Sequence, residues 1–416
     1  MPIYANKSSE ESTSPTKSNH TCGLFLAGGG ARAAYQVGAL TAIFNILNPQ
    51  HDPYFTNPFR VITGSSAGAI NAAAYVSRAH HPMEALRQMR ELWLSVHTDS
   101  IYRSDLVGVF GNGLHWISLL LFGWMVPWIR SNTPRSLFDN APLSRLMAEV
   151  FDQPALAANL QNNIIQAFGV STTSYTNGQH YTFFQSSLDI PDWSAWRRRG
   201  LAQEIRIEHL LASSSIPFIF PAQCLHVDGK PQWSGDGSMR QLAPLSANIR
   251  LGADKILVIS SNSGKSTTKS TPNGHDDSPH YPTLAQLGGH ALSDIFIDGL
   301  SMDIERIERI NYFLDHIPEQ LRDKPGLKKI TVLTLNPSKN IDEIALKHLQ
   351  SLPRAVRAFL SVLGVSAKEH HQSGGLVASY LIFERSYTQE LMSLGYADTW
   401  QRSQEIKDFF AKENYG

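Results

Sequence analysis

The chain of 416 residues contains only two cysteines, Cys22 and Cys224. That is too few for a disulfide framework or a cysteine-built zinc site, and it suits a reducing compartment. No charge surplus is present either: 36 lysines and arginines balance 36 aspartates and glutamates. No bulk attraction to nucleic acid is therefore expected, and nucleic acid is not read as a partner. Residues 1–20 lack the apolar core of a secretory signal and are rich in serine, threonine and charge, so they read as a disordered tail. The expected location is cytoplasmic, with peripheral contact to a membrane, unless a dedicated secretion system exports the chain. Long uncharged runs are absent with one exception, LVGVFGNGLHWISLLLFGWMVPWI from Leu106 to Ile129. Its length suits a bilayer span. Its four glycines, Asn112, His115 and Pro127 weaken that reading, and Trp116, Trp124 and Trp128 suit a segment lying at a membrane interface. Ordinary buried structure is the remaining alternative.

What the chain does contain is an alternation of strand-like and helix-like apolar runs. This argues for an α/β fold with a mainly parallel central sheet covered by helices. Residues 23–27 and 60–63 read as strands, each followed by a helix, over 31–47 and from Ser66 onward. Further strands are expected at 164–170, 181–185, 255–260 and 329–335, and helices at 142–151, 207–214 and 284–311. The organisation expected is a main domain over 21–260, with 106–130 as an apolar insertion acting as lid or interfacial segment. A flexible loop follows at 261–282, poor in apolar residues, and then a mostly helical C-terminal part over 283–416 that packs on the main domain.

Two glycine-rich turns follow the first two strands, at the end of an open α/β sheet where ligands bind. In Gly64-Ser65-Ser66-Ala67-Gly68 a serine stands between a short β-branched run and an alanine-rich helix, the setting of a nucleophile elbow. The tight backbone there demands small residues on both sides, and Gly64 and Gly68 supply them. Ser66 is the candidate nucleophile. Its hydroxyl needs a base to take the proton and donors to hold the oxyanion. The earlier turn, Gly28-Gly29-Gly30-Ala31-Arg32, offers the donors as unhindered backbone N–H groups at a helix start. That turn also fits a relaxed dinucleotide fingerprint, Gly28-x-Gly30-x-x-Ala33. The second strand, however, runs into the serine elbow where an acidic residue should hold a ribose, and the dinucleotide reading is rejected. Gly264-Lys265-Ser266 imitates the end of a phosphate-binding loop, but Ile259 stands at its first glycine position, and it is rejected too.

For the base, the residues alone leave two options. A Ser-His-Asp triad would place an acid and then a histidine after the nucleophile. Yet His275, His280, His290, His316, His348 and His370-His371 sit in no distinctive setting. Asp236, in the small-residue turn expected at Trp233-Ser234-Gly235-Asp236-Gly237-Ser238, is the other option, with an ordinary turn aspartate as the plain alternative. Arg197-Arg198-Arg199 reads as a solvated turn rather than a headgroup site.

The chain resembles bacterial patatin-like phospholipases from about Cys22 to Ser260. The resemblance runs through LAGGGARAAYQVGAL, ITGSSAGAINAAA, RSLFDNAPLSRLM, LLASSSIPFIFPA and SGDGSMRQLAPLSANIRLGADKILVIS, and more weakly around Asp294 to Asn311. It implies a patatin-like three-layer α/β fold with 21–260 as the catalytic domain, and a Ser-Asp dyad in place of a triad. Ser66 is then the nucleophile and Asp236 the base, with Gly28, Gly29, Gly30 and Arg32 around the oxyanion and Gly237 completing the Asp-Gly motif. No metal or cofactor is implied. The implied activity is hydrolysis of carboxylic esters in phospholipids or other lipids at a membrane surface; a soluble-ester carboxylesterase and a non-enzymatic lipid-binding scaffold are the alternatives. Two positions depart from the family pattern: Ala33 replaces a glycine, and Ser238 brings a hydroxyl within reach of Asp236. A carboxylate works as base only when desolvation lifts its pKa toward neutrality. Trp233 and Leu242 are the residues expected to provide that desolvation.

Overall fold

Strands sandwiched between helices are buried on both faces, so their side chains divide between two cores with a period of two. In β1 (Cys22–Leu26), Leu24 and Leu26 enter one apolar core while Phe25, with the following Ala27, enters the other. β9 (Lys255–Ile259) divides in the same way, Leu257 and Ile259 against Ile256 and Val258. These strands belong to the computed structural model, which describes residues 20–103, 136–262, 284–318, 328–362, 364–365 and 372–411. The expected tail, the apolar insertion and most of the expected 261–282 loop lie outside the described residues.

Among the described residues, ten strands form one sheet. β10 (Thr331–Leu335), β9, β1, β2 (Val61–Ser65) and β3 (Ala167–Ser174) run parallel in that order. Beyond β3 the sheet turns antiparallel through β4 (His180–Ser186), then adds β6 (Arg198–Ala202) and the edge strand β5 (Trp193–Ala195). A hairpin of β7 (Gln223–Val227) and β8 (Lys230–Asp236) joins β3 through β8. Helices α1 (Ala34–Leu47), α2 (Ala67–Val76) and α3 (Pro82–Ser95) cover one face. On the other face Leu300, Ile304 and Ile307 of helix Leu284–His316 pack together with Ile249. The result is the three-layer α/β fold anticipated from the sequence, with its parallel half carrying both glycine turns.

The C-terminal helices share the first of these cores. Helix Arg385–Gln401 crosses α1 so closely that a side chain at Gly38 would strike the backbone of Met392, and one at Gly395 the backbone of Tyr35. Tyr35 also donates to Asp398 Oδ2 at 3.2 Å. Among the described residues no helix is long and apolar enough to cross a membrane.

Candidate active site

β3 outruns β2. Its Ser171 pairs with Ser65, the last residue of β2, and its next residue, Thr172, pairs with Asp236, the last residue of β8. Because β4 occupies the other edge of β3, β2 and β8 meet end to end along a single edge. Ser66 and Asp236 are thereby brought face to face: Ser66 Oγ donates to Asp236 Oδ2 at 2.6 Å, with the two residues 1% and 0% exposed. The turn read at 233–238 is corrected here, since Asp236 ends a strand. Gly235 is small because the ring of Tyr175 lies across it, leaving no room for a side chain.

Ser66 takes φ 53 and ψ −133, a backbone rarely tolerated outside glycine and typical of a strained strand-to-helix elbow. A side chain at Gly64 would strike the backbone of Gly68 and Ala69, and one at Gly68 the carbonyls of Leu26 and Ala27. The second contact presses the elbow against the end of β1, so the two glycine turns adjoin. The amide of Ser66 donates to Ser213 Oγ at 2.9 Å, a partner the sequence reading did not single out.

Burial lifts the pKa of Asp236 from 3.8 to about 6, against the opposing pull of the Ser66 hydroxyl and of the Ser238 amide and hydroxyl. The Ser238 amide donates to Asp236 Oδ1 at 2.8 Å, and its hydroxyl also lies 3.3 Å from Ser65 Oγ. Trp233 and Leu242, the residues expected to desolvate this carboxylate, are each 49% exposed. The end of helix Ile207–Ser213 and the residues after it lie against its backbone: the Asp236 amide donates to Ser215 O at 3.0 Å and the Gly237 amide to Ser213 O at 3.1 Å.

No histidine among the described residues hydrogen-bonds Ser66 or Asp236. His316 meets Tyr312 O and His348 meets Glu390; His275, His280, His370 and His371 lie outside the described residues. The histidine closest to this chemistry is one the sequence reading missed. His180 Nε2 sits 3.1 Å from Gly237 O, and burial lowers its pKa from 6.5 to about 4. It is therefore neutral at pH 7, and because a carbonyl only accepts, Nε2 carries the proton.

Gly28, Gly29 and Gly30 join β1 to a short helical turn, Gly30–Ala33. Gly30 has φ 54, and the carbonyl of Tyr380 occupies the space a Cβ would fill. No acceptor among the described residues takes the amide N–H of Gly28, Gly29 or Gly30. Arg32 is a different case. Its amide donates to Gly29 O at 3.1 Å. Its guanidinium, 3% exposed as a residue, donates to Ser379 Oγ at 2.8 Å, Asn262 Oδ1 at 2.7 Å and Asp342 Oδ1. Arg32 is thus engaged in holding the loop to β9 and the C-terminal helices.

Ser66 opens into an apolar pocket walled by Ile70, Trp93, Leu143, Met147, Phe220 and Phe383. The Trp93 indole N–H is turned to Asn71 Oδ1 at 2.8 Å, so its polar atom is satisfied within the protein. The arrangement offers a hydroxyl hydrogen-bonded to a buried carboxylate, unpaired amides nearby, and an apolar slot. No cluster of three or more His, Cys, Asp or Glu side chains suited to a metal ion occurs among the described residues.

The sequence model of the Patatin family, described as patatin-like phospholipase, matches residues 24–248. None of the curated proteins matches the chain. Solved structures that align with it include human GIVD cytosolic phospholipase A2 in complex with methyl gamma-linolenyl fluorophosphonate, at 12% identity and TM-score 0.41, covering 94% of this chain and 59% of that one. VipD from Legionella pneumophila aligns at 12% identity and TM-score 0.25, covering 95% and 92%. Full-length ExoU, solved with SpcU from the type III secretion system of Pseudomonas aeruginosa, aligns at 15% identity and TM-score 0.24, covering 93% and 78%. The chain spans 59% of the length of the human phospholipase it matches.

Proposed function

The chain belongs to the patatin-like phospholipase family, and on that premise we propose that it hydrolyses the carboxylic esters of membrane lipids through an acyl-enzyme formed on Ser66. The observation that carries this reading is the 2.6 Å hydrogen bond from Ser66 Oγ to a fully buried Asp236 at the head of an apolar pocket. As Ser66 Oγ bonds to the ester carbonyl carbon, its proton passes to Asp236 Oδ2, and the amides of Gly28, Gly29 and Gly30 receive the oxyanion. Asp236 returns the proton to the alcohol oxygen as the C–O bond breaks. Water then repeats the sequence on the acyl-enzyme, releasing the fatty acid.

An acyl chain is the substrate part suited to the pocket, because its walls are side chains of Ile, Leu, Met and aromatic residues. A membrane surface is the proposed partner. The uncharged, tryptophan-bearing sequence from Leu106 to Ile129 leaves and rejoins the described structure between Arg103 and Ser136. There Tyr102 stacks on Phe138 at 4.6 Å, next to pocket-lining Ile101 and Leu143.

The test is labelling by a fluorophosphonate together with fatty-acid release from phospholipid micelles and from a monomeric p-nitrophenyl ester. Wild type should form one adduct, on Ser66, and turn over micelles faster than the monomeric ester; Ser66→Ala should lose both label and turnover while keeping its fold. No adduct in wild type would favour a lipid-binding scaffold, and equal rates on both substrates a soluble-ester esterase.

A further inference from the structure

We propose that Ser261 is a positioning residue for the oxyanion site, turning the peptide between Gly28 and Gly29 so that the Gly29 amide faces Ser66. This rests on the ester-hydrolase reading above. The sheet order around the loop is β9, β1, β2. The glycine loop leaving β1 is therefore flanked on one side by the residues that follow β9 and on the other by the elbow that follows β2. Ser261, just past the end of β9, donates its hydroxyl to the carbonyl of Gly28. A trans peptide is planar, with its N–H directed opposite to its C=O. With the Gly28 carbonyl held toward β9, the Gly29 N–H turns toward β2, where Ser66 stands. A run of three glycines does not fix that orientation by itself, because side-chain sterics, the usual restraint on rotating a peptide plane, are missing. The contact is intimate: a Cβ on Gly29 would overlap the Ser261 side chain.

A second hold acts on the other end of the loop. Asn262, next to Ser261, accepts from Arg32 Nη1 at 2.7 Å. Ser379 and Asp342 take Nε and Nη2, and Ser379 Oγ lies 3.1 Å from Asp342 Oδ1. The Arg32 guanidinium also rests 4.1 Å from the centre of the Tyr380 ring. Every one of these partners lies beyond residue 260. The chain beyond residue 260 thereby sets the geometry of a loop that belongs to the catalytic sequence motifs, and Ser261 is the group that acts directly on the peptide carrying the donor.

The experiment compares Ser261→Ala, Ser261→Thr and Ser66→Ala with wild type on a monomeric p-nitrophenyl ester, with an alkyl trifluoromethyl ketone as the probe that forms an oxyanion on the serine. Removing a whole oxyanion donor lowers kcat about 10²–10³-fold, so a donor left in place but misaimed should lower it by about 10-fold or more. For Ser261→Ala the expected result is that fall in kcat, a KM within about twofold of wild type, a ketone affinity weakened by the same factor as kcat, and an unchanged pH midpoint. Ser261→Thr, which keeps the hydroxyl, should recover most of the rate. Should Ser261→Ala fail to fold, Ser261→Cys, whose thiol donates only weakly, provides the same comparison. A Ser261→Ala enzyme with wild-type kcat, or with lowered kcat and unweakened ketone binding, overturns the proposal while the dyad reading stands. Full activity in Ser66→Ala overturns the dyad reading itself.

Discussion

Replacing Asp236 by asparagine should make the protein more stable and inactive at once, and the two effects share one cause. The carboxyl of Asp236 is fully buried and its pKa is lifted from 3.8 to about 6, which corresponds to about 3 kcal/mol by which folding disfavours its ionised form. The folded pKa lies above the unfolded one, so the native state binds the extra proton between these values and stability falls as pH rises from 3.8 to 6. Above about pH 6 the penalty is fully present; below 3.8 both states are protonated and it is gone. Asparagine keeps the acceptor for the Ser238 amide, carries no charge, and is nearly isosteric. The amide that replaces Oδ2 donates to Ser66 Oγ, where the carboxylate accepted from it, and this takes back part of the gain. A stabilisation of about 1–3 kcal/mol at pH 8 is therefore expected, shrinking toward zero at pH 4. Denaturant unfolding of both proteins at several pH values measures it. In the same titration kcat/KM of wild type should rise through a midpoint near 6 and then level off, because only the carboxylate takes the serine proton. An asparagine variant that is equally stable to wild type at pH 8, or destabilised with the same pH dependence, would show that burial does not strain this carboxyl, and the basis of its basicity would be lost.

His180 titrates in the opposite sense. Its pKa is lowered from 6.5 to about 4 by burial, so the neutral ring stabilises the fold above pH 6.5 and that stability is lost as pH falls through the interval. His180→Phe should remove this acid sensitivity, cost about 1–3 kcal/mol at pH 7 by leaving the buried Gly237 carbonyl without its donor, and lower kcat. Unfolding curves at pH 7 and pH 4.5 test it, and a variant that keeps the wild-type pH dependence would refute the assignment. For the pocket, Ile70→Trp should fill space beside Ser66 and reduce hydrolysis of a long-chain p-nitrophenyl ester relative to the butyrate by about tenfold. An unchanged ratio would mean that the acyl chain lies elsewhere.

Much of the parallel half was legible because its physics is local. The apolar and alanine-rich runs around Gly28 and Ser66 encode strand, turn and helix within some twenty residues, and Gly64 records a clash with backbone close by in sequence, that of Gly68. The antiparallel half was less legible. The small residues Ser234 and Gly235 read as a turn, and only the packed structure shows that they lie in β8, with the ring of Tyr175 across Gly235. The large apolar neighbours of Asp236 in sequence, Trp233 and Leu242, are half exposed, and the contacts of its strand end with Ser213 and Ser215 leave no local sequence signal. The pairing of Arg32 with Asp342 and Ser379 escaped for a plainer reason: 310 residues separate Arg32 from Asp342, and a charge pair across that distance leaves no periodicity to read.

On the proposed dyad, the same topology accounts for a carboxylate serving the serine with no histidine between them. In a triad the acid orients the imidazole, and the imidazole reaches the serine. Here β2 and β8 end against adjacent residues of β3, Ser171 and Thr172, so the sheet ladder itself fixes the separation of the Ser66 and Asp236 backbones at one side-chain contact. The orienting function falls to backbone groups and one side chain: the Ser238 amide holds Oδ1, the Ser213 and Ser215 carbonyls hold the strand end, and the His180 imidazole holds the next carbonyl. In the proposed mechanism this arrangement gives up basicity, since a carboxylate near pKa 6 is no stronger a base than an imidazole. It would gain a base with no ring to reorient, and the demand for transition-state stabilisation would then fall on the aim of the glycine amides.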